Sequence, residues 1–483
     1  RPMNRPWRAL MAFFFLLAGC AAVGPNYVPP QTTASPAWNT PLQGGLQVEA
    51  DPVTLASWWK TLDDPELSRL IDRATARNRD LEKARARIRE ARARRGLNEA
   101  DLFPRLDASG SVSRSRGSSE TGGASTRDLF SAGLDASWEL DLFGGVRRSV
   151  EAAEANLQAA GEDLHDTLVS LLAEVALNYL DLRTGQARMG VTEESLKTQE
   201  ETHSMALWRY QAGLGDDLAV QQARYSLESA RAQIPDLQAS ISEAKNRLAV
   251  LLGEMPGALD AEMEPVRPIP TAPPEVAVGV PADILRQRPD VRRAERQLAA
   301  QTAQIGVATA ELYPKFRLSG AIGLDALTFR GLFNSGSVSS SGSAGLSWRI
   351  FDAGAIRQNI GIQTALQEQS LIAYESAVLA ALEEAENAID AYAQEQNKRR
   401  SLLEAVRSAE AAAELARIKY RTGLADFSTV LETERSLLGF RNQLVQSEGA
   451  MAMNLVKLYK ALGGGWSADA TPETKASVNG EKS

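Results

Sequence analysis

The fold is decided by the stretch Leu134-Asp135-Ala136-Ser137-Trp138-Glu139-Leu140-Asp141-Leu142-Phe143-Gly144, which ends an alternating segment and precedes a long helical pattern. A second stretch has the same form, Gly345-Leu346-Ser347-Trp348-Arg349-Ile350-Phe351-Asp352-Ala353-Gly354. The two tryptophans are 348 − 138 = 210 residues apart. Each stretch marks the point where a pattern of period two, typical of a strand, gives way to a helical pattern.

Other landmarks keep the same step of 210 residues, whereas chance matches would drift in register. A constant step of this kind predicts a duplicated structural unit. The paired landmarks are Phe103-Pro104 with Tyr313-Pro314, Tyr210-Gln211-Ala212-Gly213-Leu214 with Tyr420-Arg421-Thr422-Gly423-Leu424, and Leu252-Gly253 with Leu462-Gly463.

The composition favours long helices. Of the 483 residues, 44% are hydrophobic but only 6% are aromatic, which is typical of coiled coils. The net charge of −8 disfavours nucleic acid as the main partner. The basic run from Arg69 to Arg95 is interleaved with acidic residues and lacks aromatics. A solvated helix face is therefore favoured over a nucleic-acid site in this run.

The sequence contains no pattern typical of an enzyme. Cys20 is the only cysteine, so no internal disulfide can form. His165 and His203 are the only histidines, and no cluster has the spacing of metal ligands. We find no nucleophile motif and no phosphate-binding glycine loop, so we expect neither catalysis nor a dissociable cofactor.

The N-terminal segment has the pattern of a secretion signal. Met3 is the expected initiator, Arg5 and Arg8 form a basic region, and Leu10 to Ala18 is apolar but too short to span a bilayer. Leu17-Ala18-Gly19-Cys20 resembles a bacterial lipobox. The resemblance implies removal of residues 1–19, an S-diacylglycerol group on Cys20 and N-acylation, for example with palmitate. An ordinary buried or free cysteine is the alternative.

The rest of the chain divides by composition. Residues 20–57 form a proline-rich, extended strap, and residues 58–254 form the first repeat. A proline-rich linker at residues 255–280 separates it from the second repeat, residues 281–464. The polar tail, residues 465–483, is expected to be disordered.

Each repeat is predicted to contain a helix, two strands and a long helical hairpin. Helical sequence runs from a cap at Asp64 to about Asp101, and from about Asp283 to Glu311. The strands alternate strictly, with Leu106, Ala108, Gly110 and Val112 on one face and serines and charged residues on the other. In the first repeat, the second strand continues to Leu142; in the second, it ends at Ile350. The hairpin helices span about 144–212 and 217–252, then about 355–421 and 427–462.

The fold class is therefore α+β, mainly α. One chain offers four strands, which leave open edges and cannot enclose a pore. If the strands lie in a membrane, the sheet must close, because lipid cannot satisfy the hydrogen bonds of edge strands. The sequence alone then requires several copies without fixing their number.

Several motifs resemble those of the TolC-type outer-membrane factors, in particular the NodT-type lipoproteins of resistance-nodulation-division efflux systems. They are Val23-Gly24-Pro25-Asn26-Tyr27, Trp58-Trp59, Asp64-Pro65-Glu66-Leu67, Trp138 to Gly144, and Ala282-Asp283-Ile284-Leu285-Arg286-Gln287-Arg288-Pro289-Asp290-Val291 with its continuation Ala303 to Ala308.

The resemblance implies a homotrimer with a 12-stranded outer-membrane β-barrel, continued by an α-helical periplasmic tunnel with an equatorial belt. It also implies a role as the passive exit duct of a tripartite efflux pump. The implied partners are a periplasmic adaptor (membrane fusion) protein, an inner-membrane pump and outer-membrane lipid, without nucleic acid.

The resemblance also implies two functional sites at the hairpin ends. The periplasmic gate corresponds to Glu432, with Asp426 adding charge and Ser428 where relatives often carry a bulky apolar residue. Three copies of Glu432 around an axis would repel one another and favour cations. An ordinary solvated glutamate is the alternative. The adaptor-docking residues correspond to Tyr210, Gly213, Leu214, Tyr420, Gly423 and Leu424.

Other functions remain open at this level. The same channel could serve type I protein secretion or metal efflux, because no residue pattern selects cargo. A lipid-anchored coiled-coil scaffold of the envelope is a different class, in which the strands never enter a membrane. An envelope hydrolase has no supporting residues.

We expect Cys20→Ala to impair targeting and anchoring but not conduction, because the predicted barrel is itself embedded in the membrane. Acyl labelling should disappear, while the purified variant should conduct like the wild type in a planar bilayer. A variant that reaches the outer membrane as a trimer and yet conducts nothing would contradict this expectation.

Overall fold

The computed structural model describes residues 22–31, 35–49, 52–121, 123 and 125–466. The predicted signal peptide, Cys20 and residues 467–483 of the predicted tail lie outside the described residues. The described chain is mostly helical, with one four-stranded sheet and one pair of two-residue strands. The predicted fold class, α+β and mainly α, is confirmed.

The main elements of the two repeats follow the same order, except that the return helix is divided in two in the first repeat and continuous in the second. In the first repeat they are α1 (Pro65–Arg77), α2 (Arg79–Ala100), β1 (Arg105–Arg116), β2 (Thr126–Leu140), α3 (Gly145–Gln211), α4 (Asp217–Arg231) and α5 (Gln233–Leu251). In the second they are α6 (Pro281–Gln287), α7 (Pro289–Ala310), β3 (Lys315–Ala326), β4 (Val338–Ser347), α8 (Ala355–Arg421) and α9 (Phe427–Ala461). Short helices also cover Pro52–Ala56 and Trp58–Leu62. The duplication is confirmed, because α3 and α8 each have 67 residues and their first residues, Gly145 and Ala355, are one repeat step apart.

Three helices that the sequence predicts as continuous are broken. The first breaks at Asn78, whose side chain caps the following helix by accepting from the Asp80 and Leu81 amides at 2.9 and 3.1 Å. The helix predicted from Asp283 breaks at Arg288, which precedes Pro289 and is extended at ψ 120°. The return helix of the first hairpin breaks at Ala232, next to the proline in the first turn of α5.

Two strands end earlier than predicted. Strand β4 ends at Ser347 and not at Ile350, because its partner β3 begins at Lys315, which pairs with Ser347. Strand β2 ends at Leu140 and not at Leu142, since Leu140 pairs with Phe316 near the same end of β3. A strand needs a partner for its backbone groups, which a pattern of alternating residues does not reveal.

The described chain forms two compact units, and the first contains the sheet. This unit covers residues 22–31, 86–161 and 293–376. Its four strands are antiparallel in the order β1-β2-β3-β4, so that β1 and β4 are the two edges within one chain. The register pairs Leu106 with Ala136, Leu134 with Ile322, and Ile322 with Ser340.

The sheet has one apolar and one polar face, because residues that pair directly across neighbouring strands share a face. On the apolar face, Leu106 and Ile322 are 66% and 58% exposed, although both are large and apolar. On the polar face, the Ser109 hydroxyl donates to Asp135 at 2.8 Å and the Ser339 hydroxyl donates to Asp325 at 2.6 Å. The monomer thus exposes its apolar face rather than burying it in a core.

The two tryptophans of the deciding stretches tie strands to the helices before the sheet. Trp138 Nε1 donates to the Leu102 carbonyl at 2.9 Å, and Trp348 Nε1 donates to the Leu312 carbonyl at 3.0 Å. Both the tryptophans and the carbonyls are one repeat step apart. The hydrogen bond is therefore part of the repeated unit, and it explains why each repeat has a tryptophan at this position.

The strap is bound to the first unit by a buried arginine. Arg148 is 4% exposed and donates to the Val23 carbonyl at 3.0 Å and to Asn26 Oδ1 at 2.7 Å. Gly24 has φ +89°, and a Cβ there would lie 2.4 Å from the Gly306 Cα. Tyr27 donates to Glu295 at 2.9 Å. The motif Val23–Tyr27 is thus a clamp that requires glycine at its second position.

The second unit contains the main apolar core and a buried ion pair. It comprises the described residues of the segments 32–85, 162–292 and 377–483. Arg183 is fully buried and lies 2.5 Å from Glu66, while its other terminal nitrogen donates to the Pro265 carbonyl at 2.9 Å. Tyr179, also in the core, donates to Asp64 at 2.7 Å. These bonds attach α1 and the linker to the long helix α3.

The two helix breaks at Asn78 and Arg288 receive the ends of the return helices. Asn78 Nδ2 donates to the Leu251 carbonyl at 2.8 Å, and Arg288 Nη1 donates to the Ala461 carbonyl at 2.9 Å. Each donor and each carbonyl is one repeat step from its counterpart. The second repeat thus keeps this hydrogen bond, although the donor is a guanidinium group and not a side-chain amide.

The strap and the linker also meet in the second unit. Leu46–Gln47 of the strap pairs in parallel with Val276–Ala277 of the linker, which the sequence did not predict. In the described part of the chain, no helix is both long enough and apolar enough to cross a membrane.

We expect Gly253→Ala to destabilise the protein by about 1–3 kcal/mol. Gly253 has φ +75°, and a Cβ there would lie 2.4 Å from the Arg77 carbonyl oxygen. The measurement is the thermal unfolding midpoint of the full chain. Gly190→Ala is the control: Gly190 lies within α3 with nothing near its Cβ position, so alanine should be neutral or stabilising. A Gly253→Ala midpoint equal to that of Gly190→Ala would contradict the packing described.

Candidate functional site

The two hairpins end in the same backbone turn. In the first, the Leu214 amide donates to the Arg209 carbonyl at 2.8 Å, and Gly213 has φ +69°. In the second, the Leu424 amide donates to the Lys419 carbonyl at 2.7 Å, and Gly423 has φ +77°. This is the Schellman arrangement, in which a left-handed glycine lets the chain reverse directly after a helix.

One apolar cluster joins the two hairpin ends, and it lies entirely within the second unit. Tyr420 and Phe427 of the second hairpin have ring centroids 5.2 Å apart, and the Arg209 guanidinium of the first hairpin lies 4.8 Å from the Tyr420 centroid. Ala206 and Val220 of the first hairpin complete the contact. A substitution that alters the packing at one turn should therefore also affect the other turn, since both share this cluster.

The structure places the three predicted gate residues at the start of α9. Ser428 and Glu432 are exposed and lie one helical turn apart, so they share a face. Asp426 is the N-cap residue of α9, and its side chain makes no capping hydrogen bond. The side chains of Ser428 and Glu432 are thus exposed and could face a lumen or another copy of the chain.

The first hairpin lacks this acidic feature. At the positions one repeat step earlier, Gln222 replaces Glu432 and Leu218 replaces Ser428. Asp216 corresponds to Asp426, but its side chain accepts from the Ala219 amide at 3.0 Å and so serves as a cap. The glutamate one helical turn into the return helix is therefore found in the second repeat alone.

The predicted docking residues differ in exposure. Leu214 and Leu424 are 69% and 77% exposed, and Tyr210 is also exposed. Tyr420 is only 8% exposed, because its ring packs inside the shared cluster. Tyr420 thus supports the turn from within, while the leucines extend outward from it.

Sequence reasoning missed a buried glutamate two residues beyond Glu432. Glu434 is 5% exposed and connects three helices. It accepts from the Thr202 hydroxyl of α3 at 3.1 Å and from Arg417 Nε of α8 at 2.9 Å. The sequence pattern could have indicated this residue. Glu434 follows Phe427, Val430 and Leu431 on the buried stripe of α9, where a charged residue is unusual.

The environment of Glu434 perturbs its ionisation. Burial raises the pKa of the Glu434 carboxyl, and the hydrogen bond and charge of Arg417 offset this only in part. Arg441 lies nearby and pairs with Glu194 at 3.0 Å and with Glu410 at 2.8 Å. A small cavity of about 100 Å³ is lined by Arg417, Glu434 and Arg441, among others. This polar group fixes the helices just behind the turns.

The described residues contain no group of histidine, cysteine, aspartate and glutamate side chains that could hold a metal ion.

Comparison with known proteins gives a consistent result. The sequence profile of the family "Outer membrane efflux protein" matches residues 70–254 and 280–464. The starts of the two matches are one repeat step apart, in agreement with the duplication.

The chain is similar to individual members over nearly its whole length. It is 33% identical to nodulation protein T of Rhizobium leguminosarum bv. trifolii, covering 94% of this chain and 96% of that protein. It is 32% identical to the cation efflux system protein CusC of Escherichia coli O6:H1, covering 93% and 96%. The solved structure of the outer-membrane channel OprN superimposes with a TM-score of 0.87 at 36% identity, covering 92% and 99%.

We expect Glu434→Ala to loosen the hairpin ends, because Thr202 and Arg417 lose their shared acceptor. The free energy of local opening should fall by about 1–3 kcal/mol, measured by amide hydrogen exchange of the two turns. Glu404→Ala on α8 is the control, since its exposed pair with Arg407 should matter little. Equal protection in Glu434→Ala and the wild type would contradict this role.

Glu434→Gln should be milder, because it keeps an oxygen acceptor, and it should remove a pH dependence. A carboxyl whose pKa is raised in the folded state binds more protons when folded. Wild-type stability should therefore fall as pH rises from the ordinary glutamate range through the raised pKa. The glutamine variant should show no such fall in the same exchange measurement. A parallel fall in both proteins would assign the dependence to another group.

Proposed function

The chain belongs to the outer membrane efflux protein family, and we propose that it is the outer-membrane channel of a tripartite efflux pump. The observation that carries the proposal is the exposed apolar face of an antiparallel sheet with two open edges, in a member of this family. A lipid environment favours such a face, whereas water does not.

The open edges require further copies of the chain. Strands β1 and β4 each have one side without a partner within the sheet of one chain. A membrane sheet must close, so β1 of one copy would pair with β4 of the next. Three copies with four strands each give a 12-stranded barrel, in agreement with the resemblance described above. The polar face, with Ser109, Asp135 and Asp325, then lines a water-filled interior.

The long helices have the length that the implied periplasmic tunnel requires. Helices α3 and α8 have 67 residues each, or about 100 Å at 1.5 Å per residue. In the proposed assembly they form the wall of a periplasmic tunnel, with the hairpin turns at its far end. The outer membrane is the site of the sheet, and most of the chain lies in the periplasm.

The duct is passive, and the partners supply energy and selection. An inner-membrane pump and a periplasmic adaptor complete the assembly, with the adaptor contacting the exposed turn residues Leu214 and Leu424. OprN, which the chain resembles in structure, is an outer-membrane channel, and this agrees with the proposed role. The chain resembles a cation efflux protein and a nodulation protein about equally. This similarity fits a duct whose cargo is chosen by the pump.

The lipid on Cys20 adds an anchor to the embedded sheet. The clamp at Val23–Tyr27 supports this part of the proposal. It begins three residues after Cys20 and holds the strap against the start of α3 through Arg148. A lipid at this point would lie close to the end of the sheet, where the membrane surface is expected.

The gate is proposed at Glu432. Three exposed carboxylates around an axis would repel one another and attract cations, and Ser428 on the same face adds no apolar plug. Because Gln222 occupies the equivalent position in the first hairpin, the acidic ring would come from the second hairpin alone.

We expect Glu432→Ala to reduce the cation selectivity of the purified protein, or to change its conductance, in a planar bilayer. The reason is the loss of three negative charges from the narrowest part of the duct. Gln222→Ala is the matched control at the equivalent position and should leave both properties unchanged. A pore that is indifferent to Glu432→Ala would move the constriction elsewhere. No pore from a folded wild-type trimer would contradict an open duct.

A further inference from the structure

The loops of the first unit lie at the end of the sheet that is opposite the helices. Strand β1 begins at Arg105, shortly after α2, and ends at Arg116. Strand β2 begins at Thr126, which pairs with Arg116, and leads back to α3. The loop between β3 and β4 is at the same end, because Ala326 at the end of β3 pairs with Phe130. In the proposed assembly this end of the sheet faces the outside of the cell.

The apolar face of β2 ends at Phe130, close to these loops. An apolar residue occupies every second position from Phe130 to Leu140, over 140 − 130 = 10 residue steps. At about 3.3 Å per residue and a tilt of about 40°, these steps span a height of about 25 Å. The apolar band of an outer-membrane strand has this height. Phe130 therefore marks the level at which lipid tails give way to headgroups.

Three phenylalanines form a cluster at this level. Phe329, in the loop after β3, lies edge-on to Phe130 with the ring centroids 6.0 Å apart. Phe333 continues the cluster, and its ring centroid is 6.0 Å from that of Phe329. Phe329 and Phe333 are 62% and 73% exposed in spite of their size. Aromatic rings at the end of an apolar band are typical of the membrane–water interface.

Two arginines extend the same face of the sheet beyond the cluster. Arg114 and Arg116 follow Val112 on β1 at steps of two residues, so the three side chains share the apolar face. Val112 pairs directly with Phe130. With the same rise and tilt, Arg114 lies about 5 Å and Arg116 about 10 Å beyond Phe130. Headgroups occupy about 5–8 Å on each side of the hydrocarbon core, so both guanidinium groups can reach them.

The charge near the loops is positive. Residues 113–130 and 327–337 include four arginines and two acidic residues, a net charge of +2. Asp128 lies on the same face as the two arginines of β1 and pairs with Arg114 at 2.9 Å. Arg116 is exposed and has no ion-pair partner among the described residues. Arg330, next to Phe329 in the loop, is also exposed. The charge of Arg116 is thus available to an anion.

We propose that a rim patch, made of Arg114, Arg116, Phe130, Phe329 and Phe333, binds the phosphate-bearing headgroup of an outer-leaflet lipid. The proposal rests on the proposed function, because the rim patch meets lipid only if the sheet lies in the outer membrane. A guanidinium group donates two parallel hydrogen bonds to a phosphate, and these charge-assisted bonds are strong. The phenylalanine rings contact the acyl chains below the phosphate. Lipid A, the phosphorylated glycolipid of bacterial outer membranes, offers both groups in this order.

The exposed rings favour a lipid over a soluble anion. A free phosphate would contact only the arginines, and an exposed ion pair contributes little in water. A lipid would also cover Phe329 and Phe333, which otherwise expose a large apolar area. The rim patch therefore fits an amphipathic ligand with an anionic head.

Titration of the purified full chain with diphosphoryl lipid A in detergent tests the arginines. Native mass spectrometry counts the lipid molecules on each protein. Arg116→Ala should weaken the binding of lipid A by about tenfold, because the charged hydrogen bonds to the phosphate are lost. The matched control is Arg127→Ala. Arg127 pairs with Ser115 and so lies at the same level of the sheet, but on its polar face, and its loss should leave the affinity unchanged. Equal affinities of the two variants would overturn the proposal.

A series of ligands tests the phosphate and separates its two sources. Lipid A from which both phosphates have been removed should bind to the wild type about tenfold more weakly than the diphosphoryl form. Inorganic phosphate at the same concentration should not displace the lipid, because it cannot contact the rings. Equal binding of the dephosphorylated lipid would overturn the role of the arginines. Displacement by inorganic phosphate would show a site for a soluble anion and overturn the assignment to lipid.

The outcomes separate this inference from the proposed function. The Arg116→Ala variant should conduct like the wild type in a planar bilayer, which shows that it is folded and assembled. A conducting Arg116→Ala variant that keeps the wild-type affinity for lipid A overturns the rim patch alone. A wild-type protein that forms no pore and binds no lipid overturns the proposed function itself.

Discussion

A strand edge cannot be left unpaired in lipid, and the rest of this structure depends on that constraint. The sheet exposes Leu106 and Ile322 on its apolar face, yet β1 and β4 each keep one side without a partner. Water would satisfy the edges but not the apolar face, and lipid would satisfy the face but not the edges. In the proposed assembly, closure with further copies meets both requirements. The chain is then one part of a channel, and a single copy does not complete the membrane sheet.

The duplication supplies the framework, and the differences between the repeats supply the function. Both hairpins end in a glycine turn, and both tryptophans make the same bond to a preceding carbonyl. At two positions near the helix breaks and the hairpin end, the second repeat carries a charge that the first lacks: Arg288 stands for Asn78, and Glu432 stands for Gln222. Arg288 holds the pKa of Asp290 below its usual range, since its hydrogen bonds and charge outweigh the effect of burial. Polar pairs of this kind fix geometry where an amide would be weaker.

Buried polar groups hold the chain together at three places. Arg148 holds the strap near the sheet, Arg183 holds the linker, and Glu434 holds the helices behind the turns. Each is buried, so the loss of its partner would leave a polar group unsatisfied in a low-dielectric environment. Long helices that pack mainly through alanine and leucine can slide along one another. Specific buried bonds are a physical means of fixing one register.

The sequence by itself determined the repeat, the mainly helical class and the strands with two different faces, because these follow from periodicity and local preference. It also located Glu432 and the glycine turns, although their roles rest on family resemblance. The sequence did not determine the strand end at Ser347 or the burial of Glu434 and Tyr420. Those features depend on which residues meet across the fold: β4 stops where its partner begins, and a glutamate on a helix becomes buried only when Thr202 and Arg417 converge on it. Local patterns carry no information about such distant partners, so only the tertiary structure decided them.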